Sequence, residues 1–173
     1  LTYLPSITRA NTFRLLARYT SVVQTLGEQG FNGDVIIGLS KKTKVNLNYS
    51  HVNSLGFNGD SSGNPIKLFR EAIFNIQHKF SRKLKGKIGF QTIQYNQERY
   101  EIKPGVALVE TLTPFMEITW KYNRKESIRF ECQVLETKQD LGSFINAVLE
   151  WNIAPKYSFS VSNMINHKPE RFK

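Results

Sequence analysis

One cysteine, Cys132, stands among 173 residues. No disulfide can form within the chain, and an isolated strand cysteine is expected to act as a small hydrophobe. No run approaches the ~18 consecutive apolar residues that a membrane-spanning helix needs. That excludes helical spans but leaves barrel strands open, because alternation dilutes mean hydropathy, here −0.38. Position 1 is Leu, no signal-peptide pattern follows, and the sequence stops in a basic tail, His167 to Lys173. A mature form or a piece of something longer is expected. Acidic residues are outnumbered, 14 against 24 Lys and Arg, giving a net charge of +10 and a pI near 9.8. This excess suits an anionic partner such as nucleic acid, phospholipid or lipopolysaccharide. Its placement decides among them. Lys41, Lys42, Lys44, Arg82, Lys83, Lys85, Lys87, Arg124, Lys125 and Lys156 lie in or beside short turns, whereas a nucleic-acid sheet carries its cations along one strand face with aromatics between them. Membrane lipid or lipopolysaccharide is the expected partner, and nucleic acid is not.

What the chain has in quantity is period two. In the stretch Leu112 to Val134, the residues Leu112, Pro114, Met116, Ile118, Trp120 and Tyr122 share one parity, with Thr113, Phe115, Glu117, Thr119 and Lys121 on the other. After NRKES the pattern resumes as Ile128, Phe130, Cys132 and Val134 against Arg129, Glu131 and Gln133. Such alternation means a strand with one apolar and one polar face, so this is a hairpin of two long strands. The same signature recurs through a single domain, residues 1–173, long enough to bury a full core. It covers Phe13 to Thr20, Phe31 to Ser40, Lys44 to Ser50, Glu71 to Phe80, Leu84 to Gln91, Ile145 to Ile153 and Tyr157 to Val161. Past Thr92 the apolar parity switches to Ile93 and Tyr95, which predicts a bulge or a polar extension.

Tight turns near positions 42, 82, 125 and 155 alternate with longer connections near 27, 58, 103 and 139. At each tight turn the apolar rows keep one parity on both sides, as with Leu39 and Val45, Phe80 and Leu84, Tyr122 and Ile128, or Ile153 and Tyr157. Opposed residues share a face, so each tight loop should hold an odd number of residues. The result is an all-β, antiparallel up-and-down meander of about nine strands with no helical crossover, forming all or part of a transmembrane β-barrel.

Alternation by itself is symmetric: a soluble barrel places its apolar row inside and a membrane barrel outside. Three features lean towards the membrane. The strands run to roughly 10 residues, enough to cross a bilayer at a tilt. Phe80, Trp120, Tyr122, Trp151 and Tyr157 sit on the apolar face near the tight turns, where an interfacial aromatic girdle belongs. Short turns at one end and long loops at the other is the asymmetry of outer-membrane barrels. On this reading Arg14, Arg18, Asp34, Asn46, Asn48, Glu71, Asn75, Gln77, Glu117, Lys121, Arg129, Glu131 and Glu150 line a lumen. Two registers of the Leu112–Val134 hairpin are open, one setting Glu117 diagonal to Arg129 and the other Lys121 diagonal to Glu131.

These long alternating strands, the basic tight turns and the phrase LGEQGFNGDVIIGLSKKTKVNLNYSHVNSL resemble the uncharacterised outer-membrane β-barrel proteins of the Bacteroidota. The resemblance covers most of the chain and implies a bacterial outer-membrane location. Members of that family are longer, which implies a portion of a barrel. It brings no catalytic signature and no established activity. Bacterial barrels usually have even strand numbers, so a reading of nine also points to a missing strand or a misread end.

Other motifs have plain explanations. His51, His78 and His167 are far apart and share no metal-ligand spacing with Cys132, and His78 reads as an interfacial residue. No serine joins His51 or His78 on the apolar row as a lipase pair would require. Asn58, Asp60, Ser62, Gly63 and Asn64 imitate the start of a calcium loop, but Phe69 stands where the bidentate Glu belongs, so a surface loop is expected. GFNGD occurs at Gly30 to Asp34 and at Gly56 to Asp60 as recurrent loop chemistry. Neither an enzyme nor a cofactor or metal is expected. The functional expectation is an integral outer-membrane barrel serving as a pore, a transporter part or an anchor for protein partners at the long loops. The alternative is a soluble antiparallel β-barrel binding an apolar ligand.

Overall fold

The structure is a computed structural model that describes residue 8 and residues 10–23, 27–55 and 63–170. Among the described residues one sheet contains every strand: β1 (Glu28–Gly38), β2 (Thr43–Ser54), β3 (Lys67–Lys79), β4 (Leu84–Tyr95), β5 (Val109–Lys121), β6 (Glu126–Leu135), β7 (Gly142–Ile153) and β8 (Tyr157–Pro169). A single helical turn, α1 (Gln97–Tyr100), lies in the β4–β5 connection. Strand order equals chain order, and every pairing is antiparallel. The sheet ends at β1 and β8, which do not pair with each other.

The expected loop parity is realised. The last paired residues are Gly38 and Lys44, Lys79 and Lys85, Lys121 and Ser127, and Ile153 and Tyr157. Residues 39–43, 80–84, 122–126 and 154–156 lie between them, all odd in number. In the β5–β6 hairpin Glu117 faces Glu131 and Thr119 faces Arg129, so the register with Glu117 diagonal to Arg129 is the one adopted. Strand β8 runs on to Pro169, which draws His167 and Lys168 out of the expected tail and against Glu136, each at 3.2 Å.

Among the described residues eight strands form, not nine, because residues 13–20 are not a strand. The Ala17 amide donates to the Phe13 carbonyl (3.1 Å) and the Arg18 amide to that of Leu15 (3.3 Å), a helix-like turn. Phe13, Leu16 and Tyr19 recur every three residues and Leu15 to Tyr19 spans four, so the same side chains satisfy a 3.6-residue period as well as period two. Phe13, Leu15, Leu16 and Tyr19 are buried, and they lie against the polar row of the sheet.

This inner segment also explains the phase change after Thr92. No bulge occurs there: β4 keeps one register with both neighbours, and the register shifts fall instead at Val52/Asn53 and Ser143/Phe144. Ile93 and Tyr95 stay on the polar row, where they join Val52, Phe69, Val109 and Leu135 in one cluster with Leu15 and Tyr19. Burying these apolar groups against the segment supplies the transfer free energy that holds it on an otherwise polar face.

Gly89 lies within this covered region. A Cβ there would collide with the Phe74 carbonyl oxygen and lie 2.6 Å from the Cβ of Asn75. Gly89→Ala should therefore destabilise the sheet by about 1–3 kcal/mol, read as an earlier thermal loss of the strand circular-dichroism signal. An unchanged midpoint would contradict this close approach.

Candidate functional site

The polar row carries a continuous charge ladder. The Arg129 guanidinium reaches Glu150 at 2.7 Å, Glu131 at 3.2 Å and Glu117 at 3.5 Å, and Lys87 lies 3.9 Å from Glu117. Asn152 donates to Glu150 at 2.6 Å. Towards β1, Asn46 donates to Asp34 (3.2 Å) and Asn75 to Asn46 (3.5 Å), while Asn48 donates to the Gly33 carbonyl (3.2 Å). The structure thus brings Asp34, Asn46, Asn48, Asn75, Glu117, Arg129, Glu131 and Glu150 onto one face. Gln77 shares it and lines a pocket of about 330 Å³ with Lys44, Asn46, Asn75 and Lys87, beside the start of the inner segment. Lys121 stands at the rim by the tight turns. Arg14 and Arg18 are not strand residues: both belong to the inner segment, Arg14 exposed and Arg18 half-buried.

Side-chain amides clamp the inner segment where it has no ladder of its own. The Leu15 amide donates to Gln133 Oε1 at 2.7 Å, and Gln91 Nε2 donates to the Leu16 carbonyl at 3.0 Å. Gln133 also donates to Glu131, tying the clamp to the charge ladder. Glu71, 2% exposed, accepts from Asn11 (2.9 Å) and Gln91 (2.5 Å). Buried polar groups require such partners, and these bonds tie the inner segment to the polar row. Phe13 packs tilted against Phe115 (4.8 Å between centroids, 43° between planes) and lies under the Lys87 ammonium (4.9 Å).

At the long-connection end, Asp140 is a hub that the sequence reading did not single out. It accepts from Tyr19 Oη (2.8 Å), Gln97 Nε2 (3.1 Å) and Arg18 (3.2 Å). Burial works against its charge, but the hydrogen bonds from Tyr19, Gln97 and Arg18 together hold its carboxyl below the usual value. Burial pushes the Tyr19 hydroxyl up to about 12, so it remains a donor at neutral pH. A carboxyl with a depressed folded pKa contributes fully above its unfolded value of about 3.9 and loses that contribution as pH falls through the folded one. Asp140→Asn should thus loosen the segment by about 1–2 kcal/mol at pH 7, seen as lower hydrogen-exchange protection from Leu15 to Tyr19. Wild type should approach the variant only below about pH 3.9; equal protection at pH 7 would sink this tether.

The opposite face is bare and apolar. Val35, Leu47, Ile88, Leu149 and Phe159 are 52%, 42%, 63%, 54% and 56% exposed. Register aligns Leu84, Trp120, Ile128, Trp151 and Phe159 in one row across five strands. Phe80, Tyr122 and Tyr157 lie beside that row at the tight turns and are exposed. Among the described residues, no Asp, Glu, Lys or Arg occupies this face of β2 to β5 between the row Arg70, Gln94, Glu110 and the tight turns; past the end of β6, Glu136 stands on it opposite Leu112, paired with Lys168 at 3.2 Å. His78 is on it, with Nδ1 2.9 Å from the Thr43 hydroxyl and its ring edge-on to Phe80, and so is His51, beside Tyr49 and Phe31. Asn58, Asp60 and Ser62 of the calcium-like loop, the second GFNGD and the start of the chain lie outside the described residues.

No curated protein and no solved structure matches the chain. A family model does match, over residues 1–172, and its description is a family of unknown function (DUF6029).

Proposed function

This chain belongs to the DUF6029 family, and we propose that it forms part of an integral β-barrel of the bacterial outer membrane, acting as a pore or transporter part whose lumen is narrowed by its own segment 10–23. The observation that carries this reading is the inversion of burial. Thr113, Gln91, Gln133 and Asn146 are at most 1% exposed, while the apolar residues beside them in the same strands face outward. A soluble barrel holding an apolar ligand needs the opposite disposition. From Leu112 to Trp120 the bare face of β5 advances about 26 Å at ~3.3 Å per residue. At a ~40° tilt that is about 20 Å of height, close to the ~25 Å apolar band of such barrels.

Closure in this proposal comes from strands beyond β1 and β8. An eight-stranded barrel has an interior just wide enough for its own side chains, and here a further chain segment occupies the polar face. The basic tight turns suit anionic headgroups, at about 1 kcal/mol per Lys or Arg near the surface, and the long connections offer sites for protein partners. Detergent dependence tests the reading: the protein should be folded and monodisperse only with detergent or lipid, and a monodisperse, strand-rich protein in plain buffer would overturn it. In the reconstituted pore, Arg129→Gln leaves Glu117, Glu131 and Glu150 less compensated. It should raise cation over anion permeability, and an unchanged reversal potential in a salt gradient would remove Arg129 from the conduction path.

A further inference from the structure

We propose that the rim of the sheet at the β3–β4 turn is a binding site for a phosphate-bearing anion. A pocket of about 570 Å³ opens there, and six of its lining residues are cations: Lys42, Lys79, Arg82, Lys83, Lys85 and Lys121. No described carboxylate lines it. The register forces the crowding. Lys79 lies directly opposite Lys85, and the Lys79 amide donates to the Lys42 carbonyl at 2.8 Å, so adjacent chain segments deliver lysines to one place. Like charges directly opposed across a ladder are destabilising. Other cations of the fold do find carboxylates, as with Arg129 and its three glutamates, Arg18 with Asp140, or Lys103 with Glu101. Among the described residues none of the six is ion-paired, and Lys83 alone reaches an acceptor with its ammonium, the Tyr122 carbonyl at 3.4 Å.

Thr119 adds a polar group at the same place, though its unpaired state is shared by Thr111 and Thr113 on the same strand face. It lines the same pocket, is 8% exposed, and its hydroxyl has no hydrogen-bond partner among the described residues. A buried hydroxyl left unpaired is unfavourable, and an anion oxygen seated among the lysines supplies the missing partner. A carboxylate would compensate one of the six charges. A phosphate group carries up to two charges and several acceptor oxygens, which suits clustered ammonium donors. Lys79, Lys85, Thr119 and Lys121 stand on the polar row, so the ligand enters from the water-facing mouth.

The site rests on the register and these side chains alone, so its failure and that of the barrel reading are separate results. The test is calorimetric titration of the detergent-solubilised protein with inorganic phosphate, and in a second arm with micelles containing phosphatidic acid, each against chloride at matched ionic strength. Wild type should bind saturably. Lys79→Gln/Lys85→Gln should bind at least tenfold more weakly, and Thr119→Val, which keeps every charge, several-fold more weakly. Tighter binding of free phosphate marks a soluble ligand, tighter binding of the micelles a lipid headgroup, and both support the site. Both variants titrating like wild type, or a response that chloride reproduces in both arms, overturns it. Arg82→Gln/Lys83→Gln, in the exposed turn, serves as the second charge variant if the first fails to fold.

Discussion

Ile88→Arg is expected to weaken folding of the chain into lipid by about 2–4 kcal/mol, the cost of a cation near the midplane of a barrel's lipid face. Ile88 is 63% exposed and lies in a row with Ile76, Met116 and Cys132, midway along the bare band. In water the same replacement would remove an exposed apolar side chain and change stability by no more than about 0.5 kcal/mol. The substitution therefore separates the two solvents by the size of the effect. The measurement is the urea midpoint for folding into liposomes, with Ile88→Val as the control that keeps the site apolar. A midpoint for Ile88→Arg equal to that of the control would mean that this face does not meet lipid.

Leu15→Ala should release the inner segment without unravelling the sheet. Leu15 is 1% exposed and packs in the cluster of Val52, Phe69, Tyr95 and Val109, so its truncation costs about 2–5 kcal/mol. That loss falls on contacts between the segment and the strands, while the ladders between strands are untouched. Strand-rich circular dichroism should persist. Trypsin should cut faster after Arg14 and Arg18, the latter otherwise held by Asp140 at 3.2 Å, and under the proposed pore function single-channel conductance should rise. Wild-type cleavage and conductance in the variant would show that the segment does not restrict the path.

The meander was legible because its two signals are local: period two within each strand and a shared parity across each tight turn. Those fixed the paired strands, the odd loops and the faces of Trp120, Glu117 and Arg129. The inner segment was not, because Phe13, Leu15, Leu16 and Tyr19 fit both periods, and its hydrogen-bond partners Gln91 and Gln133 lie far away in sequence. A trace of it was present. Val52, Ile93, Tyr95, Val109 and Leu135 are apolar residues on the polar parity, all at the long-connection ends of their strands, and each marks where something apolar covers the wall. Asp140 had no such trace, since a loop carboxylate becomes a hub only once Arg18, Tyr19 and Gln97 are folded around it. Burial of the two rows could not follow from the alternation, which is the same whichever face meets water.

The two tryptophans of the chain, Trp120 and Trp151, lie in one row at the edge of the bare band. Their fluorescence in liposomes carrying nitroxide labels at graded depths tests the membrane disposition directly. The expected result is a blue-shifted emission quenched most by labels near the headgroups, less by labels at the bilayer centre, and little by aqueous acrylamide. Strong acrylamide quenching with no response to any lipid-borne label would contradict it.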